Sequence, residues 1–195
     1  MPFPVVDADS HVWEPASLWR QYVAARERPL VESAFWYERG RDGTECTVVN
    51  GRAVRSMNRT RLNRFACWRP GMSPDDIGAL DPAAPPEETP GASDAGARVA
   101  DLDALGIDVQ VVFPTLFAEH LPVVDDPRAA AVLARAYNDW AASFVSVAPQ
   151  RLHPVAVLPL QSLPATLDEI ARVTELGFTT VLWRPSFHRG RFLNH

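Results

Sequence analysis

Three polar side chains alternate near the start of the chain, directly after a short apolar stretch. Val5 and Val6 are followed by Asp7, Asp9 and His11 in the run Val-Val-Asp-Ala-Asp-Ser-His. Side chains two residues apart on an extended chain point to the same face, so Asp9 and His11 can converge just past the end of a strand. A carboxylate oxygen and an imidazole nitrogen are both suitable ligands for a divalent transition metal. The spacing therefore predicts half of a metal site, and a catalytic metal needs further ligands.

A simpler role for the same residues is local hydrogen bonding. Asp, Ser and His near a strand end often cap the next helix or satisfy loop amides. We interpret Asp7 in this way, as a structural side chain that points away from Asp9 or toward the base of the strand.

The elements that would position the pair follow a regular pattern in the second half of the chain. Apolar strands are predicted over residues 4–8, 109–113, 153–158 and 179–183. Helices are predicted over about 15–25, 94–105, 126–148 and 164–176, and glycines 106 and 177 mark two of their ends. The segment 102–114 is echoed by 173–185. This repeat of helix, glycine and strand is typical of an α/β fold, either a parallel barrel or a doubly wound sheet.

An irregular segment separates the first helix from this repeat. Asn50-Gly51 stands between two strand-like stretches and predicts a hairpin, which should lie outside the parallel sheet. Residues 58–92 hold many prolines and predict a long excursion loop.

Composition excludes several function classes. The chain has 195 residues, of which 47% are hydrophobic and 22% charged, as expected of one domain with a real core. A net charge of -5 argues against nucleic acid as a partner, and no apolar run approaches the about 18 residues of a membrane span. Two cysteines without close spacing and no signal peptide favour a cytoplasmic protein. All 19 basic residues are arginine, which excludes chemistry that needs a lysine.

Several segments in order resemble the amidohydrolase superfamily. The resemblance is strongest to the branch that contains aminocarboxymuconate-semialdehyde decarboxylase and the resorcylate decarboxylases. It rests on Val-Val-Asp-Ala-Asp-Ser-His-Val-Trp-Glu-Pro at the N-terminus, Val-Val-Phe-Pro-Thr (111–115), Ala-Tyr-Asn-Asp-Trp (136–140), Arg-Leu-His-Pro-Val-Ala-Val-Leu-Pro-Leu-Gln (151–161) and Val-Leu-Trp-Arg-Pro (181–185).

The resemblance implies a (β/α)8 barrel with a divalent metal, zinc first and manganese second, at the C-terminal face. Asp9 and His11 stand where the family places its first two ligands, although the family's first letter is more often His or Glu. The family's later ligands, a His after strand five and an Asp after strand eight, have no counterpart here. The resemblance therefore implies a partial TIM barrel: one domain over 1–195 with about four parallel βα units, an insertion at about 28–92, and the appearance of a truncated reading frame.

Three further residues are candidates for substrate contact, while no catalytic residue is assigned. Trp13 and Glu14 follow the metal pair in the first loop, and Arg184 ends the fourth predicted strand at the same rim, where a guanidinium could pair with a carboxylate. Loop packing is the alternative for Trp13 and Glu14, and an internal salt bridge for Arg184. His120 and His188 are interpreted as surface side chains.

Three functions remain open at this stage. The first is a metal-dependent hydrolase or non-oxidative decarboxylase that acts on small carboxylic acids. The second is a non-catalytic fragment, or a half-barrel that pairs with another copy or a complementing chain through its open edges. The third is a haloacid-dehalogenase-like phosphatase, because a strand precedes Asp-x-Asp; the lack of a lysine argues against it.

Overall fold

The computed structural model describes residues 3–39, 45–54, 72–79 and 90–183. Its strands are β1 (Val6–Val12), β2 (Phe35–Arg39), β3 (Glu45–Val49), β4 (Arg52–Val54), β5 (Val109–Pro114), β6 (Leu152–Ala156) and β7 (Thr180–Val181). Its helices are α1 (Ser17–Tyr22), α2 (Arg28–Ala34), α3 (Pro74–Ala79), α4 (Ala95–Leu105), α5 (Phe117–His120), α6 (Pro127–Val145) and α7 (Leu163–Glu175). Short 3-10 turns cover Pro90–Ala92 and Leu121–Val123.

The main sheet is parallel and follows chain order. Its four strands lie in the order β1-β5-β6-β7, and every neighbouring pair is parallel. A doubly wound sheet would instead place its first strand in the interior of the sheet. The predicted α/β class, with sequential parallel strands as in part of a TIM barrel, is therefore confirmed.

The first strand differs from its prediction. Residues 4–8 were expected to form it, but β1 runs from Val6 to Val12 and includes the polar residues that were placed in a loop. Pairing with β5 supplies the hydrogen bonds, so the ladder overrides the low strand propensity of Asp and Ser. One extra residue in β1 lies between Asp7 and Ser10, which oppose Gln110 and Val112. This is a β-bulge, and it changes which side chains share a face.

The first helix is also shorter than predicted. Residues 15–25 were expected to be helical, yet α1 ends at Tyr22 because Val23 adopts an extended backbone. A second helix, α2, follows with Pro29 in its first turn, and no helix was predicted for these residues.

The hairpin about Asn50-Gly51 lies outside the parallel sheet, as predicted. Strands β2, β3 and β4 form a separate antiparallel sheet, and Asn50 and Gly51 at its turn both have positive φ. Asn50 also attaches this sheet to the main body: its Nδ2 donates to Val123 O (2.6 Å) and its Oδ1 accepts from Asp125 N (3.0 Å). Most of the predicted excursion loop lies outside the described residues.

The core is centred on α6, which packs against α1, α2 and β6. Eleven of its nineteen residues are buried, including Leu133, Tyr137 and Trp140. Tyr137 stacks on Phe117 of α5, and Phe117 in turn contacts Trp19 of α1. The aromatic contacts thus connect α1 to α6 through Phe117 of α5.

The start of α6 offers a test of local stability. Asp126 is the N-cap, and its Oδ1 accepts from Arg128 N (2.7 Å) and Ala129 N (3.3 Å). Asp126→Ala should lower the free energy of unfolding by about 1 kcal/mol, because two amide donors lose their acceptor. Urea denaturation measures this loss. Asp126→Asn keeps an acceptor oxygen and should stay close to the parent, so an equal loss in both variants would contradict the cap.

Candidate metal centre

Asp9 and His11 lie together on the open face of β1. Burial alternates along this segment: Ser10, Val12 and Glu14 are buried, whereas Asp9, His11 and Trp13 are exposed. The Asp9 side chain is 88% exposed and that of His11 49%, and Asp9 Oδ1 lies 3.5 Å from His11 Nε2. The two groups predicted to converge therefore do so, although they lie within the strand and not beyond its end.

A hydrogen bond fixes the tautomer of His11. Nδ1 lies 2.9 Å from Pro114 O on β5. A carbonyl oxygen only accepts, so Nδ1 carries the hydrogen and the neutral ring keeps its free electron pair on Nε2. Metal-binding histidines are held in the same manner, with the distal nitrogen donating to a carbonyl or carboxylate.

The separation of the two ligand atoms suits one metal ion. Ligand bonds of about 2.1 Å in a tetrahedral arrangement place neighbouring ligand atoms about 3.4 Å apart. The observed 3.5 Å between Asp9 Oδ1 and His11 Nε2 agrees with this value. The donor set and its geometry therefore fit a divalent transition metal.

Asp7 has the structural role that the sequence suggested. The bulge reverses the alternation between Asp7 and Asp9, so that Asp7 Oδ2 accepts from Gln110 Nε2 (3.0 Å), a side chain on the buried face of β5. Its Oδ1 accepts from Asp9 N (3.1 Å). Of the two aspartates, only Asp9 is therefore directed to the same side as His11.

Glu14 is buried between the segment that follows β1 and the segment that follows β5. It is 5% exposed, and its carboxylate accepts from Thr115 N (2.7 Å) and Leu116 N (3.3 Å). Desolvation raises the pKa of Glu14 to about 7, against smaller lowering contributions from these amides. Burial also raises the pKa of Tyr137 well above its usual value, and the Glu14 charge adds to this effect. The geometry shows a carboxylate that holds the loop after β5, and its predicted substrate contact stays a prediction.

The other predicted residues divide between the described and undescribed parts of the chain. Trp13 continues the exposed alternation, is 45% exposed, and is anchored by its backbone N, which donates to Ala92 O (2.7 Å). Arg184 and His188 lie outside the described residues.

His120 was expected at the surface, but it is 1% exposed and packs near Phe35 of the antiparallel sheet. Desolvation lowers the pKa of His120, because the charged ring is disfavoured there.

Arg98 is the neighbour of the candidate pair that sequence reasoning missed. This buried side chain of α4 donates to Ser10 Oγ (2.7 Å) and to His11 O (2.6 Å). The signal available in the sequence was an arginine four residues before Leu102, on the face of the helix that enters the core.

Comparison with known proteins decides the family. A family model described as Amidohydrolase matches residues 6–194. The chain belongs to the amidohydrolase family. A search of the curated proteins finds no match to this amidohydrolase chain.

Solved structures show the same fold at low identity. An amidohydrolase from Mycobacterium avium subsp. paratuberculosis K-10 is 20% identical with a TM-score of 0.71, over 95% of this chain and 50% of the other. The 5-carboxyvanillate decarboxylase from Novosphingobium aromaticivorans, solved with manganese and 3-methoxy-4-hydroxy-5-nitrobenzoic acid, is 20% identical with a TM-score of 0.52, over 98% and 44%. The IDCase of Metarhizium anisopliae is 17% identical with a TM-score of 0.50, over 89% and 40%. The amidohydrolase chain thus spans about half the length of the first of these structures.

The described part of this amidohydrolase chain brings two candidate ligands, Asp9 and His11, close together. Within residues 3–39, 45–54, 72–79 and 90–183, no group of three or more His, Cys, Asp or Glu side chains is placed to hold a metal ion. In the same residues, no helix has both the length and the apolar character to cross a bilayer.

Proposed function

We propose that the chain supplies Asp9 and His11 to the metal centre of a metal-dependent hydrolase or non-oxidative decarboxylase of small carboxylic acids. The observation that carries the proposal is the position of this pair on β1, 3.5 Å apart, with His11 Nδ1 bonded to the end of β5. Active sites of parallel barrels form at these strand ends. Family membership and a decarboxylase neighbour solved with a carboxylate ligand support the reaction class.

The metal is a divalent ion. Manganese is bound in the 5-carboxyvanillate decarboxylase structure, and zinc is the other candidate by ligand type. Such an ion, when bound, lowers the pKa of a water or orients a substrate oxygen. Asp9 and His11 would hold it, Trp13 would border the substrate on the same open face, and Arg184 would pair with a substrate carboxylate. A cytoplasmic location fits these proposals and stays a prediction.

The remaining ligands come from outside the described residues in this proposal. Two protein ligands are fewer than the three that catalytic zinc usually has. Residues 1–195 would act as one half-barrel domain, completed by further polypeptide, either from a longer form of the chain or from a second chain.

A partner-dependent, non-catalytic half-barrel is the second candidate, and the sheet edges favour it. Among the described strands, β1 and β7 each have one neighbour. Exposed apolar side chains lie on or next to β7, namely Val181 (39%) and Trp183 (46%), and on α7, namely Leu163 (70%) and Leu167 (57%). Such edges and patches mark surfaces that another chain covers.

Metal binding at the pair tests the proposed function. Mn²⁺ added to the 195-residue protein should broaden the NMR signals of the His11 ring, and this effect reports even weak binding. His11→Ala identifies the signals, and Asp9→Asn should weaken the broadening because one of two ligands loses its charge. Asp103→Asn is the matched control and should leave the response unchanged, because Asp103 pairs with Arg151, away from Asp9 and His11.

The outcome separates the two candidate functions. Weak Mn²⁺ or Zn²⁺ binding that depends on Asp9, with little or no turnover of carboxylate substrates, is the expected result for a centre with two ligands. Absence of any metal response at His11 would contradict the metal proposal and favour the non-catalytic half-barrel.

A further inference from the structure

A buried guanidinium lies on the opposite side of β1 from the candidate ligands. Arg98 is 8% exposed. Its Nη1 donates to Ser10 Oγ (2.7 Å) and Gln110 Oε1 (3.3 Å), and its Nη2 donates to His11 O (2.6 Å). Its Nε donates to Gly91 O (2.6 Å). One side chain thus joins β1, β5 and the turn before α4.

These contacts meet β1 at the two residues that follow the extra residue of the bulge. Ser10 and His11 are the first residues to resume regular pairing, opposite Val112 and Phe113. A bulge can in principle move along a strand, and a shift by one residue exchanges the faces of every side chain that it passes. Bonds to Ser10 Oγ and His11 O hold the bulge between Asp7 and Ser10.

Gly91, whose carbonyl accepts from Arg98 Nε, is itself closely packed. A Cβ on Gly91 would lie 2.2 Å from Asp101 Oδ2 and 3.1 Å from Arg98 Cα. Gly91 therefore lets the turn approach α4 closely enough for its carbonyl to receive Nε. Attraction from Asp101 and Asp7 offsets part of the cost of burying the charge.

We propose that Arg98 is a positioning residue for the metal pair, because it fixes the bulge that places Asp9 beside His11 and turns Asp7 away. Arg98 acts through the backbone of His11 and the hydroxyl of Ser10, and not through contact with a metal. This inference rests on the proposed function for its role in metal binding, while its effect on the His11 ring is independent of metal.

Charge and geometry make opposite predictions for replacing Arg98. If Arg98 influenced the site only through its charge, removal of a nearby cation would strengthen binding of a divalent cation, and Arg98→Lys would change little. If Arg98 positions the pair, both Arg98→Gln and Arg98→Lys weaken binding, because neither replaces the planar fork that reaches two acceptors on β1. Supporting residues around metal ligands typically contribute roughly 10- to 100-fold in affinity.

The first experiment measures Mn²⁺ affinity from the broadening of the His11 ring signals. Arg98→Gln and Arg98→Lys are each expected to lower it by roughly tenfold or more. Arg151→Gln is the matched control: like Arg98, Arg151 donates to two backbone carbonyls, those of Asp108 and Ile107, and it also pairs with the Asp103 carboxylate, but it lies beside the start of β5, away from the pair. Unchanged or stronger binding in both Arg98 variants, or an equal loss in Arg151→Gln, would overturn the proposal.

The second experiment needs no metal. Long-range ¹H–¹⁵N NMR of the parent should show the His11 ring with its hydrogen on Nδ1, as the bond to Pro114 O requires. Arg98→Gln should give a mixture of tautomers as His11 loses its fixed position. Ser10→Ala removes one Arg98 contact with little risk to folding and should give a smaller shift in the same direction.

The two experiments together separate the two proposals. A parent protein with no metal response but with a tautomer that changes in the Arg98 variants would contradict the proposed function and support the positioning role. An unchanged tautomer in folded Arg98→Gln and Ser10→Ala would refute the positioning role whatever the metal does.

Discussion

Replacement of Asn138 by alanine is expected to lower the free energy of unfolding by about 3 kcal/mol or more, as expected when several buried polar groups lose their partner. Asn138 lies on α6 and is fully buried. Its Nδ2 donates to Val157 O (2.9 Å) and Glu169 Oε1 (2.7 Å), and its Oδ1 accepts from Val157 N (2.9 Å). Val157 follows the last residue of β6, so Asn138 satisfies both polar groups of a backbone segment that continues beyond the strand.

The effect is large because water cannot replace the lost side chain. Val157 is 2% exposed and Glu169 3%. Glu169 would keep its paired contacts with Arg172, at 2.6 and 2.9 Å, while the two Val157 groups would have no acceptor or donor in reach. An alanine there leaves both groups buried and unsatisfied.

Asn50 is a matched control for this prediction. Its side chain bonds two backbone groups in the same donor and acceptor pattern, but at an exposed site where water can substitute. Asn50→Gly also tolerates the positive φ of 51°. Urea denaturation should show a loss of about 1 kcal/mol for Asn50→Gly, well below that of Asn138→Ala. Equal losses would show that burial does not set the cost.

The second large effect is a stability change with pH that originates at Glu14. Its pKa is about 7 in the folded protein and 4.5 as the ordinary value. Between these values the folded state keeps the proton that the unfolded state has released. The contribution of this group is therefore fully present below about pH 4.5 and is lost as pH rises through about 7. The loss is roughly 3 kcal/mol, at about 1.4 kcal/mol for each pH unit between the two pKa values.

Glu14→Gln separates this group from the other titrating residues. Glutamine has nearly the same shape and can still accept from Thr115 N, but it carries no charge at any pH. Denaturation measured from pH 5 to pH 8 should show parent stability falling relative to the variant across this interval. Parallel curves for the two proteins would mean that Glu14 does not titrate near neutrality.

Periodicity in the sequence predicted the parallel repeat but not the details of β1. The helices before β5 and β7 end near glycines 106 and 177, whose φ values of 67° and 89° require glycine-like freedom, so those boundaries were visible. The run Asp-Ala-Asp-Ser-His has low strand propensity and gave no sign that it pairs with β5. Its length and its bulge come from a neighbour about a hundred residues away in the chain, which local patterns do not report.

The same limit applies to the site. The spacing of Asp9 and His11 was enough to predict that they converge, because residues two apart on a strand share a face. The roles of Arg98 and Glu14 depend on contacts with distant segments, and Glu14 shares its residue type with many exposed carboxylates. Only the folded chain shows that Arg98 is buried and donates to Ser10 and His11, and that Glu14 is a buried acceptor for loop amides.

The bulge in β1 lies before the candidate pair, so chain length matters more between Asp9 and His11 than at the bulge itself. Ala8 is exposed, so many side chains would be tolerated there. Its deletion would remove the one extra residue between Asp7 and Ser10 and restore an uninterrupted ladder with β5, while Asp7 would stay on the face of Ser10 and Asp9 on the face of His11. Natural variation in this protein should therefore show free exchange, and even loss, of the residue at position 8, but almost no insertions or deletions between positions 9 and 11.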